Sequence, residues 1–516
     1  MSSTNKNLAE SLKLLNKLQK SKGNVIKSVE LPRYHRERLL KSGFIFEVIK
    51  GWYIISNPSE NKGESTLWYS TFWEFCSRYL NDRYKKSWCI SPEQSLIIQS
   101  GSLVVPKQLL IRAPKANNHI VKLPFDTSIL NIKSTLPGNG GVIEKDGIRM
   151  LSVPSALISC NSNFFKTNAM EARIALSTIS DASEILPLLL EKGRHIIAGR
   201  LAGAFRNIEK EKIADDIIKT MQSAGYRIAE INPFIDRPDY QFQVREISPY
   251  VNRIKMMWHQ MREPVLRLFP KEPGIKVNAK KYLKSVQEIY ITDAYHSLSI
   301  EGYKVTPELI ERVEKGLWNP ETNQFDREQK DAMAAKGYWQ AFQKVKLSIE
   351  SILKGTNPGL IAEKDHSDWY REMFSPLVLA GILNSTDLAG YRNATVYIRN
   401  SSHVPMKPEA IRDVMPVFFE LLKNEDEPAV RVVLGHFLFV YIHPYMDGNG
   451  RMARFLMNVM LASGGYPWTV IPVEEWNNYM QTLEEASVEG NIQPFTKFLS
   501  GLVKSGLSGK PIAEKI

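Results

Sequence analysis

The residues best suited to chemistry lie together in residues 443–454, which read HPYMDGNGRMAR. They include an imidazole, a carboxylate, a Gly-Asn-Gly turn and two guanidiniums. Glycines allow a backbone with positive φ and bring N–H groups close to an anion. A helix that starts after such a turn adds unpaired N–H donors and the positive end of its dipole. The stretch therefore predicts a phosphate-binding site.

The spacing of the charged side chains fits the same chemistry. Arg451 and Arg454 are three residues apart, so both lie on one face of a helix, where two planar forks suit a polyphosphate. Asp447 offers the hard oxygen ligands that Mg2+ prefers. His443 has an intrinsic pKa that suits a general base near neutral pH. Each group alone has an ordinary structural explanation, whereas the ordered set favours an active site.

Two flanking elements must hold this turn in place. An apolar run over residues 432–442 leads in, and a run with helical character over residues 455–462 leads out. The layout predicted here is helix, tight loop, helix.

The whole string resembles the signature of Fic-domain proteins, HPFx(D/E)GNGRxxR. Tyr445 stands where phenylalanine is usual, which keeps an aromatic plug and adds a hydroxyl that needs a partner. Fic enzymes typically transfer AMP from ATP to a hydroxyl of a target protein and release pyrophosphate. The resemblance therefore implies a protein adenylyltransferase, with ATP as its substrate and Mg2+ or Mn2+ as its metal.

The resemblance also implies a role for each position of the motif. His443 would take the proton from a Ser, Thr or Tyr hydroxyl of the target, and Asp447 would hold the metal on the α and β phosphates. The phosphates themselves would be held by Gly448, Asn449 and Gly450 as the anion hole, Arg451 at the β-phosphate region and Arg454 at the γ-phosphate.

A second string, SLSIEG at residues 297–302, ends a predicted amphipathic helix that begins near Tyr282. Ser297 and Glu301 are four apart, hence on one helical face, and Gly302 suits a helix stop. The string resembles the autoinhibitory motif of Fic proteins, (S/T)xxxE(G/N), in the class that carries it N-terminal to the core. That resemblance implies that Glu301 pairs with Arg454 and occupies the γ-phosphate position. An ordinary solvent-facing glutamate is the alternative.

Two further regions are assigned by the same resemblance. Residues 390–399 with Val404 and Pro405 resemble the Fic flap, a β-hairpin that would hold the target by strand addition; a plain surface hairpin is the alternative. Asn478 and Tyr479 lie on a predicted helix that borders the adenine pocket in Fic folds, with core packing as the alternative. The flap residues expected to hold the target are Thr395, Val396, Tyr397 and Ile398.

The N-terminal residues predict a different module. A helical pattern near residues 8–18, a basic helix after Pro32 and a short hairpin outline a winged helix–turn–helix, similar to the N-terminal module of AbiEi-type antitoxin regulators. In such a module the basic helix enters the major groove, and a winged helix used only for protein contacts is the alternative. The candidate DNA-binding residues are Arg33, Arg36, Arg38 and Lys41.

Charge is distributed unevenly along the chain. Residues 1–240 hold 34 Lys and Arg against 23 Asp and Glu, a net of +11, while the remainder holds 33 against 32, a net of +1. The basic excess of the N-terminal half predicts an anionic partner there, for which nucleic acid is the natural candidate; a basic surface that serves only solubility is the alternative.

The length of 516 residues predicts roughly two to four domains. We predict a multidomain α+β fold: an N-terminal winged helix, a mixed α/β middle region and a mostly α-helical C-terminal Fic domain with a β-hairpin flap. In the middle region, residues 119–132 predict one strand. The predicted divisions are 1–58 (winged helix), 59–231 (mixed α/β), 232–279 (linker and lead-in helix), 280–505 (Fic domain with inhibitory helix) and 506–516 (tail).

Three widely spaced cysteines imply neither a disulfide framework nor a zinc site, and a cytoplasmic location is expected. The sequence predicts no membrane partner, since it contains no long apolar stretch. The partners expected are a protein target with a hydroxyl acceptor, the chain itself included, and DNA; a homodimer stays open.

Two alternative functions remain: a DNA-binding regulator whose Fic domain senses nucleotide with little activity, and a Fic enzyme that uses another donor, such as UTP or a phosphocholine carrier.

Overall fold

The computed structural model describes residues 3–58, 65–138, 140–236, 248–275, 278–317 and 330–513. Contacts divide the chain into two units. The N-terminal unit comprises Met1–Pro249 together with Tyr397–Val404, and the C-terminal unit comprises Tyr250–Val396 and Pro405–Ile516. Among the described residues, no helix combines the length and the apolar character needed to cross a bilayer.

The first part of the N-terminal unit combines two helices with a small antiparallel sheet of strand order β1–β3–β2. Leu15, Ile26 and Leu39 are buried together between the helices and the sheet. This arrangement has the helix, basic helix and hairpin that the sequence predicts, and the winged-helix assignment stays a prediction. The elements are α1 (Ser3–Lys22), β1 (Val25–Lys27), α2 (Arg33–Lys41), β2 (Ile45–Ile49) and β3 (Trp52–Ile55).

The rest of the N-terminal unit is mixed α/β. Helix α3 (Thr66–Tyr84) buries an aromatic face, including Trp68, Phe72 and Phe75, against a four-stranded sheet of order β4–β5–β7–β6. Strands β5 and β7 are parallel and the other pairs antiparallel. The strands are β4 (Cys89–Ile90), β5 (Gln108–Ala113), β6 (His119–Lys122), β7 (Ser128–Lys133) and the separate hairpin β8 (Val142–Lys145) and β9 (Ile148–Leu151).

Our prediction of one strand over residues 119–132 is wrong. The chain forms the antiparallel pair β6 and β7 instead, because Phe125 and Asp126 adopt φ of +53° and +54° and reverse its direction. Seven helices complete the described part of this unit: α4 (Pro92–Gln99), α5 (Val153–Ser159), α6 (Phe164–Thr167), α7 (Ala169–Ser177), α8 (Leu186–Leu190), α9 (His195–Asn207) and α10 (Glu211–Ser223).

The regular secondary structure in the described residues of the C-terminal unit is all helical. Its long helices at Lys330–Leu353 and Pro358–Leu379 approach closely at Gly337, where a Cβ atom would lie 1.9 Å from the carbonyl oxygen of Met373. Only glycine permits that contact. The helices are α11 (Pro249–Leu268), α12 (Ala279–Glu288), α13 (Tyr290–Ile300), α14 (Pro307–Glu314), α15 (Lys330–Leu353), α16 (Pro358–Leu379), α17 (Pro408–Asn424), α18 (Pro428–Ile442), α19 (Asn449–Ser463), α20 (Trp476–Glu484) and α21 (Gln493–Leu507).

The predicted β-hairpin flap is not a hairpin. Residues 390–406, all described, contain no strand and turn at Arg399 and Asn400, where Asn400 has φ of +57°. Two backbone groups of residues 397–404 bond to other parts of the N-terminal unit. Asn400 N–H donates to Thr66 Oγ1 (2.9 Å), and the Ser402 carbonyl accepts from Val105 N–H (2.9 Å). With those groups occupied, no second strand pairs with the segment.

Candidate active site

Helix α18 places the predicted catalytic histidine. The helix begins with proline at its first turn and is apolar and buried almost all round. It ends where His443 adopts a left-handed backbone, with φ of 54° and ψ of 60°, while its N–H still donates to the Phe439 carbonyl (3.0 Å). A residue other than glycine persists in that region only where its surroundings hold it, and such positions cluster at functional sites.

The imidazole of His443 is held in one tautomer. Its Nδ1 lies 3.1 Å from the Val440 carbonyl oxygen. Because a carbonyl only accepts, Nδ1 carries the hydrogen and Nε2 keeps a free lone pair. The side chain is half-buried, and the loss of water around the ring lowers the pKa of His443 to about 4. The ring is therefore neutral at pH 7, which is the state a general base requires.

The turn after His443 is shaped by two buried side chains. The Asn449 amide exchanges two hydrogen bonds, each of 2.9 Å, with the backbone of Tyr445. The Tyr445 ring stacks on Tyr370, with centroids 3.8 Å apart. The Asn449 side chain is thus used to fold the turn, which leaves backbone N–H groups for a ligand. The Tyr445 hydroxyl has no hydrogen-bond partner of normal geometry among the described residues, and burial raises its pKa.

The two glycines of the turn each permit a close approach. Gly448, the N-cap of α19, has φ of +79°, and a Cβ atom there would lie 2.7 Å from the Phe374 ring. At Gly450 a Cβ atom would lie 2.6 Å from Glu301 Oε1. A carboxylate therefore reaches the start of α19, where the first N–H groups have no partner within the helix.

Asp447 is exposed beside this turn, with 64% of its side chain accessible. Its Oδ1 accepts from Gly448 N–H (2.6 Å), and its Oδ2 lies 3.4 Å from Arg451 Nη2. The described residues contain no cluster of three or more His, Cys, Asp or Glu that could hold a metal by itself. A single exposed carboxylate fits the way Mg2+ is shared between one protein ligand, substrate phosphates and water.

Arg451 is almost fully buried, with 1% of its side chain accessible. Its guanidinium carbon lies 4.9 Å from the Phe374 ring centre and 5.3 Å from that of Tyr303. Within the described part of the chain, Nε and Nη1 have no hydrogen-bond partner. Leaving a buried cation unsatisfied is costly, so this geometry suits an arginine that binds an anionic ligand.

Arg454 lies on the same face and already has an anionic partner. Its Nη2 donates to Glu301 Oε1 (2.7 Å) and to the Ser297 carbonyl (3.0 Å), while Nε donates to Ser297 Oγ (3.0 Å). The end of α13 brings these partners in, and Gly302 follows with φ of +85°. Burial alone would raise the pKa of Glu301, but Arg454 and Arg451 outweigh it and hold that pKa below its usual range.

The two predicted adenine-pocket residues differ in burial and in their hydrogen-bond partners. Tyr479 is buried, and its hydroxyl lies 2.7 Å from Nε2 of the buried His436. Asn478 is exposed and donates to Glu475 Oε2 (3.0 Å). The placement of Tyr479 favours the core-packing alternative.

The predicted flap residues are divided between the units. Thr395 and Val396 belong to the C-terminal unit, and Tyr397 and Ile398 to the N-terminal unit. Val396 is buried, whereas Tyr397 is 40% exposed.

The basic residues of α2 also differ from one another. Arg36 donates to the Ser28 carbonyl (3.0 Å), and Arg38 donates to the Asn7 carbonyl (2.7 Å). Both guanidiniums thus stabilise the fold around α2. Arg33 is 82% accessible and pairs with Glu37 (2.6 Å), and Lys41 is exposed.

Two residues near the site were not predicted from the sequence. Arg392, a lone arginine with no pattern around it, is buried and donates through Nε to the His443 carbonyl (2.7 Å). Asp293 accepts from the Tyr338 hydroxyl (2.7 Å), and burial raises its pKa to about 6. Asp293 could have been found, because it lies one turn before Ser297 on the helical face that leads to Glu301.

Comparison with known proteins identifies the domain that carries this site. Residues 366–461 match the sequence profile described as the Fic/DOC family, and this range includes the whole motif from His443 to Arg454. The C-terminal unit therefore contains a Fic/DOC domain.

Relatives carry the name "Protein adenylyltransferase Fic". The protein from Nematostella vectensis is 27% identical over 252 residues, covering 48% of this chain and 55% of that protein. The protein from Drosophila yakuba is 29% identical over 233 residues, covering 43% and 42%. The chain thus spans about half the length of the curated relatives it matches. A solved Fic-domain-containing signaling protein from Bacteroides thetaiotaomicron is 21% identical, with coverage of 50% of this chain and 99% of that chain and a TM-score of 0.33.

Proposed function

We propose that this Fic/DOC domain transfers AMP from ATP to a hydroxyl side chain of a protein, with His443 as the general base. The observation that carries the proposal is the pairing of two features in one short turn. A neutral imidazole with a free Nε2 stands next to a helix start that bears two buried arginines. The naming of relatives as protein adenylyltransferases supports the same reaction.

In the proposed reaction, His443 Nε2 accepts the proton of the acceptor hydroxyl. The oxygen attacks the α-phosphorus of ATP, the bond from that phosphorus to the bridging oxygen breaks, and pyrophosphate leaves. The N–H groups at the start of α19 and the unpaired nitrogens of Arg451 hold the phosphates and stabilise the charge that develops. Most of the catalysis in such a reaction comes from positioning.

Asp447 is the residue proposed to hold Mg2+ or Mn2+ together with the substrate phosphates. A divalent cation at such a site neutralises phosphate charge. The side chain is accessible and its Oδ2 lies 3.4 Å from Arg451, so both groups face the same ligand region.

We also propose that α13 inhibits the enzyme in the same molecule. The carboxylate of Glu301 occupies the anion site that a γ-phosphate would need, since it bonds to Arg454 at 2.7 Å and approaches Gly450. An ATP molecule must displace this carboxylate or bind in an unproductive pose. Glu301 is ionised at neutral pH because its pKa lies below the usual range, so the competition operates at physiological pH.

Transfer from α-labelled ATP with Mg2+ tests both proposals. Wild type, Glu301→Gly and His443→Ala are incubated with lysate, and labelled proteins are identified by mass spectrometry. We expect Glu301→Gly to raise labelling about tenfold or more and His443→Ala to reduce it by roughly 10²- to 10⁴-fold, the usual contribution of a general base. Glu311→Gly removes a surface glutamate whose ion pair, among the residues that the structure describes, is with Lys315, and it serves as the control. Equal labelling by wild type and Glu301→Gly contradicts the inhibition, and labelling by His443→Ala contradicts the assigned base.

A DNA-binding regulator is the second candidate function. It is favoured by the net charge of +11 in residues 1–240 and by the accessible Arg33 and Lys41 on α2. An electrophoretic shift on DNA upstream of the protein's own coding sequence, repeated at several salt concentrations, tests it. If Arg33 or Lys41 binds a phosphate, its substitution by alanine should reduce the log–log salt slope by about 0.9.

A third possibility concerns the donor. The contacts assigned to this loop all address phosphates, so UTP or a phosphocholine carrier fits it equally well. Competition of each unlabelled donor against labelled ATP separates these cases.

A further inference from the structure

Arg392 makes an unusual set of contacts for a buried cation. It is 3% exposed, and its guanidinium donates to three backbone carbonyls: His443 from Nε (2.7 Å), Ala394 from Nη1 (3.0 Å) and Met406 from Nη2. Its own backbone N–H donates to the Pro444 carbonyl (2.9 Å). Burial lowers the pKa of Arg392 to about 10, so the group stays charged at neutral pH.

These carbonyls belong to two segments with different assigned roles. Residues 443 and 444 form the turn that presents the base. Ala394 and Met406 are twelve residues apart and lie on either side of residues 395–405, which include the predicted flap residues 395–398. One side chain thus joins both ends of residues 395–405 to the turn that presents the base, and each bond is charge-assisted, hence stronger than a neutral one.

The contact at His443 bears directly on the position of the base. A left-handed backbone at a residue other than glycine is strained and needs external support. Two groups of Arg392, Nε and the backbone N–H, bond to consecutive carbonyls in this turn. The intrahelical N–H bond to Phe439 and the Nδ1 contact to Val440 then orient the ring.

We infer that Arg392 is a positioning residue for AMP transfer, which holds the His443 imidazole in place by tying the 443–444 turn to Ala394 and Met406. This inference rests on the proposed function. It assigns no contact between Arg392 and either substrate. Donor binding should therefore survive its loss, while the transfer step should not.

The test compares Arg392→Met and Arg392→Lys with Arg431→Met, all in the Glu301→Gly background. Arg431 is a matched control, since it is a buried arginine on α18 that donates to the Glu425 carbonyl and to Ser463 Oγ (3.3 Å). Both Arg392 variants should lower the rate of transfer at saturating ATP at least tenfold, with the KM for ATP within twofold. Arg392→Lys keeps the charge and a foldable core but cannot reach three carbonyls.

Two readouts separate positioning from a loss of stability. In Arg392→Met, the NMR titration of selectively labelled histidine should move the His443 pKa upward from about 4, because a positive charge near the ring is removed and the turn is released. Limited proteolysis should cut within residues 395–405 faster than in the parent. Arg431→Met should change neither, even if its melting temperature falls equally.

Identical behaviour of the Arg392 and Arg431 variants in rate, histidine titration and proteolysis overturns the inference. If the Glu301→Gly parent transfers nothing from ATP, the proposed function fails by itself. The titration and the proteolysis then still decide whether Arg392 holds the turn and the segment together.

Discussion

Two helices of this protein carry closely spaced arginines, and the two sets differ in burial and in their bonding partners. On α2, in the N-terminal unit, Arg33 is 82% accessible, and Arg36 and Arg38 donate to backbone carbonyls nearby. On α19, in the C-terminal unit, Arg451 and Arg454 have 1% and 3% of their side chains accessible. The first set is either solvated or used by the fold. The second is withdrawn from water and faces an anion site.

The contrast shows what an arginine-rich pattern can and cannot indicate. Spacing alone is similar in the two helices, so the difference lies in the surroundings. In water a guanidinium attracts any polyanion weakly and in a salt-dependent way. A buried guanidinium acts with little screening, and it favours a ligand whose oxygens replace the water it no longer binds.

The largest effect on nucleotide binding is expected at Arg451. In the Glu301→Gly background, Arg451→Met should weaken binding of a non-hydrolysable ATP analogue with Mg2+ by about a hundredfold, which is about 2.7 kcal/mol. The reason is that Nε and Nη1 have no other partner in the described structure and are available to phosphate oxygens. Isothermal titration calorimetry measures the change.

Arg36→Met is the matched control for that substitution, because Arg36 also lies over an aromatic ring, 5.7 Å from the centre of Tyr53. It should leave analogue binding within twofold. Equal losses in both variants would mean that burial at α19 has no special relation to the nucleotide.

A second, smaller effect concerns pH. With its pKa lowered to about 4 from 6.5, His443 is already neutral at pH 5, so transfer by Glu301→Gly should stay within about twofold between pH 5 and pH 8. An unshifted histidine base would lose about thirtyfold over the same range. Initial rates at constant ionic strength distinguish the two.

The lowered pKa of His443 also makes the stability of the fold depend on pH. The direction of this dependence is opposite to that for a histidine in an ion pair. A histidine whose folded pKa is lowered is protonated more readily in the unfolded chain, so its stabilising contribution is complete above pH 6.5 and is lost as the pH falls towards 4. Buried His436, with its pKa lowered to about 3, acts in the same direction. Rate measurements therefore belong above pH 5.

The smallest effect is expected within α2, where Arg38 and Arg33 should contribute differently to the free energy of unfolding. Arg38 links α2 to α1 through the Asn7 carbonyl (2.7 Å) and Ser11 Oγ (3.0 Å), so Arg38→Met should reduce the free energy of unfolding of the N-terminal unit by about 1–2 kcal/mol. Arg33→Met should leave it unchanged, since that side chain is solvated. Urea denaturation followed by tryptophan fluorescence measures both. The reverse order would mean that the exposed guanidinium stabilises the fold.

Much of the site could be predicted because its chemistry is local in sequence. The turn after His443 needs glycines, an N-cap and charged groups within twelve residues, and each leaves a recognisable residue type. The approach of Glu301 to Arg454 was implied by the resemblance of SLSIEG to the Fic autoinhibitory motif, although the two residues lie far apart in the chain.

What escaped prediction depends on partners that are distant in sequence and leave no pattern. Arg392 binds carbonyl oxygens, which every residue has, so no residue type marks its partners. The resemblance to the Fic flap predicted a β-hairpin over residues 390–399, yet the neighbouring groups at Asn400 and Ser402 bond to Thr66 and Val105. Strand character there depended on a pairing that the rest of the fold does not supply.

Gly450 limits how the proposed enzyme can be activated. The absent side chain that leaves the start of α19 open to a phosphate also admits the Glu301 carboxylate, whose Oε1 would lie 2.6 Å from a Cβ atom at that position. In the proposed mechanism, substrate and inhibitor therefore share one backbone requirement. A substitution at Gly450 would displace Glu301 and would also obstruct ATP, so activation without loss of ATP binding has to come from a change in α13.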